Sequence, residues 1–278
     1  MTTAPAAGCH FVVVGEVLLD VIASAARTNV HGRISVRPGG TASNAALAAR
    51  ALGAAATVVA RIGADQVGAL LRQSLEAEDV RLELATDPER QTGCYVQIGS
   101  TIVVDRGASA TLRAADVEGL EGDAVLVSGF VLLHDDTASA GQAALAASAR
   151  WRGADVGAAS LAARVGSDRV LERLAGANVI FADEAEAAVL TGLAPDAAAA
   201  ALARSHEIAV VKMGADGAVA ASESRVVHAP APAVQAAAAV VGAGDALDAG
   251  VLVGLAAGRG LEGALALGIR AAGWAIGR

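Results

Sequence analysis

Aromatic residues are scarce in this chain of 278 residues, at only 2% of the sequence. A buried core therefore has to be built mainly from alanine, valine and leucine, which favours close packing of helices on a sheet over an aromatic stacking surface. Hydrophobic residues reach 54% and charged residues 18%. The chain can thus bury a sizeable core, and global disorder is not expected.

Positive charge and cysteine are also limited. The formal net charge of −8 argues against general nucleic-acid binding, which needs a basic surface. An anionic substrate would have to be held by local backbone dipoles and a few arginines or lysines. Cys9 and Cys94 are too few for a disulfide framework or a zinc site. The five histidines show no ligand spacing.

No hydrophobic run approaches the length that spans a bilayer, because glycine, aspartate and arginine interrupt the alanine-rich segments. The N-terminal stretch MTTAPAAGCH lacks a basic region followed by a long apolar stretch, so no signal peptide is expected. These absences predict a cytoplasmic protein without a membrane or nucleic-acid partner.

Strand-like runs alternate with helical stretches along most of the chain. The clearest strand-like runs are FVVVG (11–15), ATVVARIG (56–63), AVLVSGF (124–130), ADVGAAS (154–160), NVIFAD (178–183) and IAVVKMG (208–214). Helical stretches are residues 41–53, 65–80, 136–151 and 184–192. This alternation predicts an α/β fold with right-handed crossovers and a parallel sheet covered by helices on both faces. No proline- or serine-rich linker divides the chain, so residues 1–278 are predicted to form a single domain.

Two segments break this alternation. TNVHGRISVRP (28–38) and QTGCYVQIGSTIVVDRG (91–107) alternate polar and apolar residues, with glycine at the expected turns. The pattern is typical of antiparallel ribbon with one solvated face. It predicts a small β-sheet lid beside the main sheet, with lid segments near 28–38 and 91–105.

The stretch VVGAGDALDAG (240–250) places small residues and Asp245 where an apolar run becomes a helix. Backbone N–H groups can converge on an anion at such a junction, and the helix dipole adds to the attraction. Asp245 would then accept a proton from a hydroxyl that attacks phosphorus. A tight turn followed by a helix-start aspartate explains the same residues, so this segment leaves both interpretations open.

A second constellation lies in RPGGTASNAALAARALG (37–53). Gly39 and Gly40 allow close approach of the backbone, and Asn44 offers both a donor and an acceptor to neighbouring hydroxyls. A glycine turn followed by a helix cap is the alternative for this segment alone.

Taken together, the two segments resemble the signatures of the ribokinase-like, or PfkB, carbohydrate kinase family. The first signature is met by Gly39, Gly40, Ala42, Asn44, Ala46, Gly53 and Gly63. The second is met by Val240, Gly242, Ala243, Gly244, Asp245, Ala249 and Gly250, and fails only where Ala239 replaces the usual aspartate. Further matches occur in the expected order, in GEVLLD (15–20), RIGADQVG (61–68), DRGAS (105–109), ADEAEAAVLTG (182–192) and VKMGADGAVA (211–220). The resemblance covers residues 11–278.

This resemblance implies a ribokinase-like, or Rossmann-like, fold and an ATP-dependent kinase in which Asp245 is the general base. The groups implied for the anion hole are the N–H groups of Gly242, Ala243 and Gly244. Those implied for the hydroxylated acceptor are Asp20, in the first strand, with Gly39, Gly40 and Asn44. The implied ATP-binding residues are Lys212, Gly214 and Gly217, and Glu186 would help to order Mg²⁺ near the phosphates.

The chain departs from the family pattern in three places. Asp183 replaces the usual asparagine, so three carboxylates of DEAE crowd the phosphate region; Mg²⁺ could relieve their repulsion, or they could form an acidic helix start. Ala239-Val240-Val241 replaces a segment that commonly helps to bind a monovalent cation, which makes K⁺ activation doubtful. The family usually continues further past the second signature, where part of the adenine pocket forms, so unusual nucleotide binding is expected.

Arg106 either contacts an anionic acceptor across the lid or simply solvates a loop. The predicted reaction is transfer of the γ-phosphoryl group to a hydroxymethyl group of a sugar, sugar acid or nucleoside. Two rival hypotheses are a catalytically weak sugar- or nucleoside-binding protein and a kinase for a vitamin-type hydroxymethyl compound. Lids of the family often form dimers, and the two alternating segments are compatible with a homodimer through the lid.

Overall fold

Two sheets organise the chain in the computed structural model, which describes residues 8–24, 31–231 and 241–277. The strands are β1 (His10–Val14), β2 (Leu18–Ser24), β3 (Arg33–Gly39), β4 (Ala55–Gly63), β5 (Arg81–Asp87), β6 (Thr92–Ile98), β7 (Thr101–Gly107), β8 (Ala124–Val127), β9 (Trp151–Asp155), β10 (Val179–Asp183), β11 (Ile208–Lys212), β12 (Ala218–Ser222) and β13 (Arg225–Ala229). The α-helices are α1 (Thr41–Ala51), α2 (Gln66–Glu76), α3 (Gly129–Leu133), α4 (Ala138–Ala144), α5 (Ala159–Val165), α6 (Ser167–Leu174), α7 (Glu184–Thr191), α8 (Pro195–Leu202), α9 (Ala243–Ala256) and α10 (Gly260–Ile276).

The large sheet has the order β13-β12-β11-β10-β9-β8-β1-β4-β5. The strands from β11 to β5 in this order pair in parallel, and β12 and β13 add antiparallel strands at one edge. The predicted α/β fold is confirmed, and the sheet is mixed rather than wholly parallel. The turn between β11 and β12 is too short for a crossover helix, which forces these two strands to run in opposite directions.

Both faces of the large sheet are covered by hydrophobic core. Along β1, Phe11 and Val13 contact one core cluster, while Val12 and Val14 contact the other. Successive side chains of a strand point to opposite faces, so a strand that is buried on both sides needs an unbroken apolar run. This requirement explains the run FVVV in the sequence.

Helices α9 and α10 pack unusually closely because glycines lie at their contact. A Cβ atom at Gly250 would be 2.7 Å from the Cα of Gly268, and one at Gly254 would be 2.7 Å from the Cα of Ala264. Small side chains thus replace aromatic bulk in this part of the core.

Among the described residues no single helix is long and apolar enough to cross a membrane, and only the bent pair α7 and α8 reaches that composition, across a 60° break.

The small sheet has the order β3-β2-β6-β7 and includes most of both predicted lid segments; residues 28–30 lie outside the described part of the chain. The strands of both predicted segments form antiparallel pairs, β3 with β2 and β6 with β7, and the two pairs join through a parallel pairing of β2 with β6. Asp20 also lies in β2 of this sheet and not in the first strand, which ends at Val14. The chain leaves the large sheet at Gly15 and enters the small sheet at Leu18. The short apolar runs of the sequence do not show to which sheet each strand belongs.

Asp65 connects the two sheets. Its carboxylate caps α2 by accepting the N–H of Gly68 at 2.7 Å, and it accepts the N–H of Thr92, the first residue of β6, at 2.7 Å. The hydroxyl of Thr92 also donates to Asp65, at 2.8 Å. These hydrogen bonds lower the pKa of Asp65 against the opposing effect of burial. The small sheet is therefore anchored to the end of β4.

Candidate active site

The candidate active site lies where the carboxyl ends of the parallel strands meet the small sheet, the edge at which open α/β sheets bind ligands. A cavity of about 430 Å³ opens there, within the size range of small-molecule sites. Its polar lining includes Glu16, Asp20, Asn44, Arg106, Arg164 and Asp245. The cavity thus brings together residues from both of the predicted signatures.

The turn before α9 has the geometry of an anion-binding helix start. Gly242 has φ 86°, in the left-handed region that favours glycine. The first hydrogen bond of α9 runs from the N–H of Ala246 to the carbonyl oxygen of Gly242, at 3.0 Å. The N–H groups of Ala243, Gly244 and Asp245 therefore have no acceptor within the helix. Two of the three predicted anion-hole donors, on Ala243 and Gly244, belong to this unbonded set.

Asp245 lies in the first turn of α9 and faces the cavity. The amide of Asn44, on α1, donates to its carboxylate at 2.9 Å, so the two predicted signatures meet at this hydrogen bond. Burial raises the pKa of Asp245, while the hydrogen bond from Asn44 lowers it and the nearby Asp155 raises it further. A carboxylate with a raised pKa is a stronger base than a free aspartate.

Asp20 is almost completely buried, with 1% of its surface exposed. It lies opposite Arg37 of β3 and Tyr95 of β6, so all three side chains belong to the face of the small sheet that is directed at the cavity. A Cβ atom at Gly39 would overlap the Asp20 carboxylate, which explains the first glycine of the pair. Burial raises the pKa of Asp20 to about 7, against the lowering effect of Arg37.

The second glycine of the pair, Gly40, has φ 80° and precedes α1. A Cβ atom there would overlap the carbonyl oxygen of Glu16. Gly40 thus lets the start of α1 approach the segment after β1, whereas Gly39 leaves room for the Asp20 carboxylate.

The elevated pKa of Asp20 predicts a pH dependence of stability. An acid whose pKa is higher in the folded state stabilises the fold most at pH values below the unfolded pKa of 3.8, and that contribution is lost as the pH rises through about 7. Relative to wild type, Asp20→Asn should therefore gain unfolding free energy as the pH rises across this interval, by at most about 4 kcal/mol. Urea denaturation at several pH values measures this change.

Glu118→Gln, at an exposed carboxyl group, is the control for the pH series. Its unfolding free energy should follow that of wild type at every pH. If Asp20→Asn also follows wild type throughout, the carboxyl group of Asp20 titrates normally in the folded protein.

Lys212, predicted to lie along the ATP phosphates, is held between two buried aspartates. Its Nζ atom donates to Asp155 at 2.9 Å and to Asp248 at 3.0 Å. Burial alone would lower the pKa of Lys212, but these carboxylates, together with Glu186, raise it well above 10.5. A Cβ atom at Gly244 would be 3.5 Å from Nζ, so the ammonium group lies beside the turn with the unbonded N–H groups.

Asp155 and Asp248 were not among the predicted site residues. Asp155 ends β9, and Asp248 follows Asp245 by one helical turn on α9. An aspartate at the end of a buried strand, and a second acid at a spacing of three on the helix, were the available signals. The apolar neighbours of both residues gave no indication that Lys212 would be their common partner.

The acidic segment at residues 183–186 forms a helix cap. The carboxylate of Asp183 accepts the N–H of Glu186, and the carboxylate of Glu186 accepts the N–H of Asp183, both at 2.7 Å. This reciprocal capping box begins α7. Asp183 is exposed whereas Glu186 is buried, and burial followed by repulsion from Asp155 raises the pKa of Glu186 to about 8.

The donor set near Glu186 fits a shared Mg²⁺ site. In the described residues no group of three or more His, Cys, Asp or Glu side chains could by itself hold a metal. Mg²⁺ usually takes one or two carboxylates and completes its shell with water and substrate phosphates. Glu186 and Asp155 supply such carboxylates, and a divalent cation would relieve the repulsion that raises the pKa of Glu186.

Gly214 and Gly217 lie in the turn between β11 and β12, with φ of 55° and 92°. A Cβ atom at Gly217 would overlap the carbonyl oxygen of Ala229 at the end of β13. These glycines permit the tight reversal that follows Lys212. Ala239 and Val240, the departure that bears on K⁺, lie outside the described residues.

Arg106 lines the cavity, and one of its nitrogens donates to both oxygens of Asp136, at 3.0 and 3.2 Å.

Glu16 is a cavity residue that was not predicted. Only 3% of Glu16 is exposed; one of its oxygens accepts the hydroxyl of Ser128 at 3.0 Å, and the other has no partner among the described residues. The segment GEVLLD contains Glu16, but nothing in that segment distinguishes it from an ordinary surface glutamate.

The fold is that of the ribokinase-like small-molecule kinases. Adenosine kinase from Sinorhizobium meliloti superposes with a TM-score of 0.81 at 21% identity, covering 98% of this chain and 95% of that one. Fructokinase from Vibrio cholerae O395, in a form that binds fructose, ADP and a calcium ion, gives a TM-score of 0.78 at 24% identity, covering 97% and 91%. At these identities the likeness is one of fold.

The sequence itself matches the model of the pfkB family of carbohydrate kinases over residues 10–278, and the chain belongs to that family. Two curated relatives, each named bifunctional protein HldE, are 30% identical to it. The match to the Azorhizobium caulinodans protein covers 95% of this chain, and that to the Caulobacter vibrioides protein covers 85%. The chain spans only 60% and 52% of the lengths of these relatives.

Proposed function

We propose that this protein is an ATP-dependent kinase that phosphorylates a hydroxymethyl group of a sugar, sugar acid or nucleoside. The observation that carries the proposal is the position of Asp245. Its carboxylate shares a cavity with the hydroxyl-binding candidates Asp20 and Asn44, and it lies on the same helical turn as the unbonded N–H groups of Ala243 and Gly244. A base, an anion-binding turn and an acceptor cavity therefore converge at one point.

In the proposed reaction Asp245 accepts the proton of the acceptor hydroxyl as its oxygen attacks the γ-phosphorus. The N–H groups at the start of α9 bind the oxygens of the transferring group, and each well-placed donor of this kind contributes about 3–4 kcal/mol. Asn44 orients the carboxylate of Asp245, and Asp20 holds other hydroxyls of the acceptor. Catalysis of this kind depends on position and charge rather than on a covalent intermediate.

The nucleotide would lie on the other side of the α9 turn, beside Lys212 and the glycines Gly214 and Gly217. Mg²⁺ would be held by Glu186 and Asp155 together with the phosphates, and it would neutralise the charge of the phosphates. Lys212 adds a fixed positive charge next to Gly244. The small sheet closes the acceptor cavity over Asp20 and would exclude water, a competing acceptor.

ATP consumption with Mg²⁺ over a panel of sugars, sugar acids, nucleosides and hydroxymethyl vitamins tests this proposal. Turnover of one acceptor class supports a kinase. Turnover of a hydroxymethyl vitamin alone would support the rival hypothesis of a kinase for a vitamin-type compound. Equal rates with and without K⁺ would agree with the replacement of the usual aspartate by Ala239. Ligand-induced thermal stabilisation without turnover of any acceptor would instead support a catalytically weak binding protein.

We also propose that the small sheet pairs with a second copy of the chain. Its face away from the cavity carries four exposed aliphatic side chains, those of Ile34, Val36, Ile98 and Val103, each more than half exposed. Strand register places Val36 and Val103 on the same face, across Val21 and Val96. An apolar patch of this kind marks an interaction surface more often than a solvated one.

Sedimentation should show a dimer for wild type and a monomer for Val103→Lys, because a charged side chain would be buried at the centre of the interface. Val226→Lys, at an exposed valine of β13 in the large sheet, is the matched control and should remain dimeric. A monomeric wild type at micromolar concentration would contradict dimerisation.

A location in the cytoplasm stays a prediction from the sequence.

A further inference from the structure

The acceptor cavity has two ends of different charge. Glu16, Asp20 and Asp245 form its acidic end, and they lie near enough to one another for Asp245 to affect the pKa of both other carboxyls. This is the end at which the transferred hydroxyl would lie, next to the anion-binding turn. Carboxylates there suit hydroxyl donors and disfavour an anionic part of the acceptor.

The other end carries the guanidinium group of Arg164 on α5, beside His134 after α3, and both line the cavity. Arg106 on β7 is near enough to both ends for its charge to lower the pKa of Glu16 and of His134. Burial lowers the pKa of His134, and the charges of Arg106 and Arg164 lower it further against the opposing effects of Asp136 and Asp135. Both guanidinium charges therefore act on the imidazole and disfavour its protonated form.

The two arginines differ in how their charge is used. Arg106 is fixed by Asp136 and by the hydroxyl of Thr137, which accepts a hydrogen bond at 3.1 Å. Arg164 is exposed at the cavity and has no hydrogen bond or ion pair within residues 8–24, 31–231 and 241–277. A guanidinium that borders a cavity without a carboxylate partner is suited to a planar anion, which it can bind through two nitrogens.

We infer that the acceptor carries an anionic group, a carboxylate or a phosphate, at the end remote from the transferred hydroxyl, and that Arg164 binds it beside the fixed Arg106. The inference rests on the proposed function, because it defines the orientation of the acceptor from Asp245. A neutral sugar or nucleoside would offer Arg164 no counter-charge. The acceptor is therefore a sugar acid or a sugar monophosphate rather than a neutral sugar or a nucleoside.

Binding of matched probes tests the inference independently of catalysis. The carboxylate arm compares ribonate and gluconate with ribitol and sorbitol, and the phosphate arm compares fructose monophosphate with fructose, each by calorimetric titration. Wild type should bind the acidic member of at least one pair more tightly. Arg164→Ala should weaken that binding by roughly 10-fold to 100-fold, as expected for charged hydrogen bonds, and should leave neutral probes unchanged.

Arg164→Lys keeps the charge but loses the two-nitrogen geometry, so its affinity should fall between those of wild type and Arg164→Ala. Arg204→Ala removes an exposed arginine outside the cavity and should bind every probe like wild type. Thermal unfolding of each variant in the absence of probe separates a loss of contact from a loss of fold.

Acidic and neutral probes that bind equally well, or that are affected equally by Arg164→Ala, would overturn the inference. ATP turnover with the same probes is measured in parallel. Phosphorylation of a neutral acceptor that is insensitive to Arg164→Ala would leave the kinase standing without an anionic acceptor. Binding of an acidic probe through Arg164 without phosphorylation of any probe would leave the anion subsite standing and refute the kinase.

Discussion

Asp245→Asn is expected to lower the kcat for phosphorylation of any accepted substrate by roughly 10²–10⁴-fold, the usual contribution of a positioned general base. The substituted amide is similar in size and can keep a hydrogen bond to Asn44, whose amide lies 2.9 Å from the native carboxylate. It cannot accept the proton of the attacking hydroxyl. The KM for ATP should change little, because the backbone N–H groups of α9 are retained.

The pH profile provides a second readout of the same role. Asp245 must be ionised to act, and burial raises its pKa above the ordinary value. Wild-type kcat should therefore fall as the pH is lowered through that elevated pKa. The residual activity of Asp245→Asn should lack this acid limb.

Asp196→Asn is the matched control, because Asp196 is also in the first turn of a helix, α8, but is exposed and does not line the cavity. If Asp245 were only a helix-start aspartate, the two variants would have similar small effects on stability and none on kcat. An Asp245→Asn protein that keeps most of its activity would place the base elsewhere.

Local signatures made the centre of the site predictable from the sequence. Gly242 and Asp245 lie three residues apart in the chain, and Asn44 lies in a glycine-marked helix start, so each residue type carried its own signal. A helix start in a buried α/β protein provides N–H donors whatever the rest of the fold. The meeting of Asn44 and Asp245 could be inferred only because both segments matched one family pattern.

Residues whose roles depend on distant partners could not be predicted in this way. Glu16, Asp155 and Arg164 become notable only when Ser128, Lys212 and the cavity surround them. Short-range spacing contains no information about contacts between residues that are 57 or 112 positions apart in the chain. Charge alone made these side chains look like ordinary surface residues.

Alanine-rich segments limited the prediction of element bounds. The helix predicted over 136–151 extends only over Ala138–Ala144, and the strand predicted at 154–160 is Trp151–Asp155. Alanine suits exposed and buried positions almost equally, so the polar and apolar contrast that marks helical periodicity is weak. Glycine at position 153 leaves room for Leu252, because a Cβ atom there would be 2.7 Å from a methyl carbon of Leu252. The sequence does not show this contact.

Lys212→Met is expected to destabilise the protein by about 3–5 kcal/mol, the cost of leaving a buried ion pair without one partner. Asp155 and Asp248 have side chains that are only 8% and 0% exposed, and the ammonium group of Lys212 contacts both. Methionine fills similar volume but leaves these carboxylates facing one another, with Glu186 nearby. Urea denaturation at neutral pH measures the loss.

Two further variants separate this charge effect from a simple packing defect. Arg81→Met breaks an ion pair with Glu83 whose side chains are 71% and 42% exposed, and it should cost less than about 1 kcal/mol. Lys212→Met combined with Asp248→Asn should recover part of the stability, because one unpaired carboxylate has been removed. If Lys212→Met costs no more than Arg81→Met, Lys212 does not neutralise buried charge. The positive charge beside Gly244 would then serve phosphate binding alone.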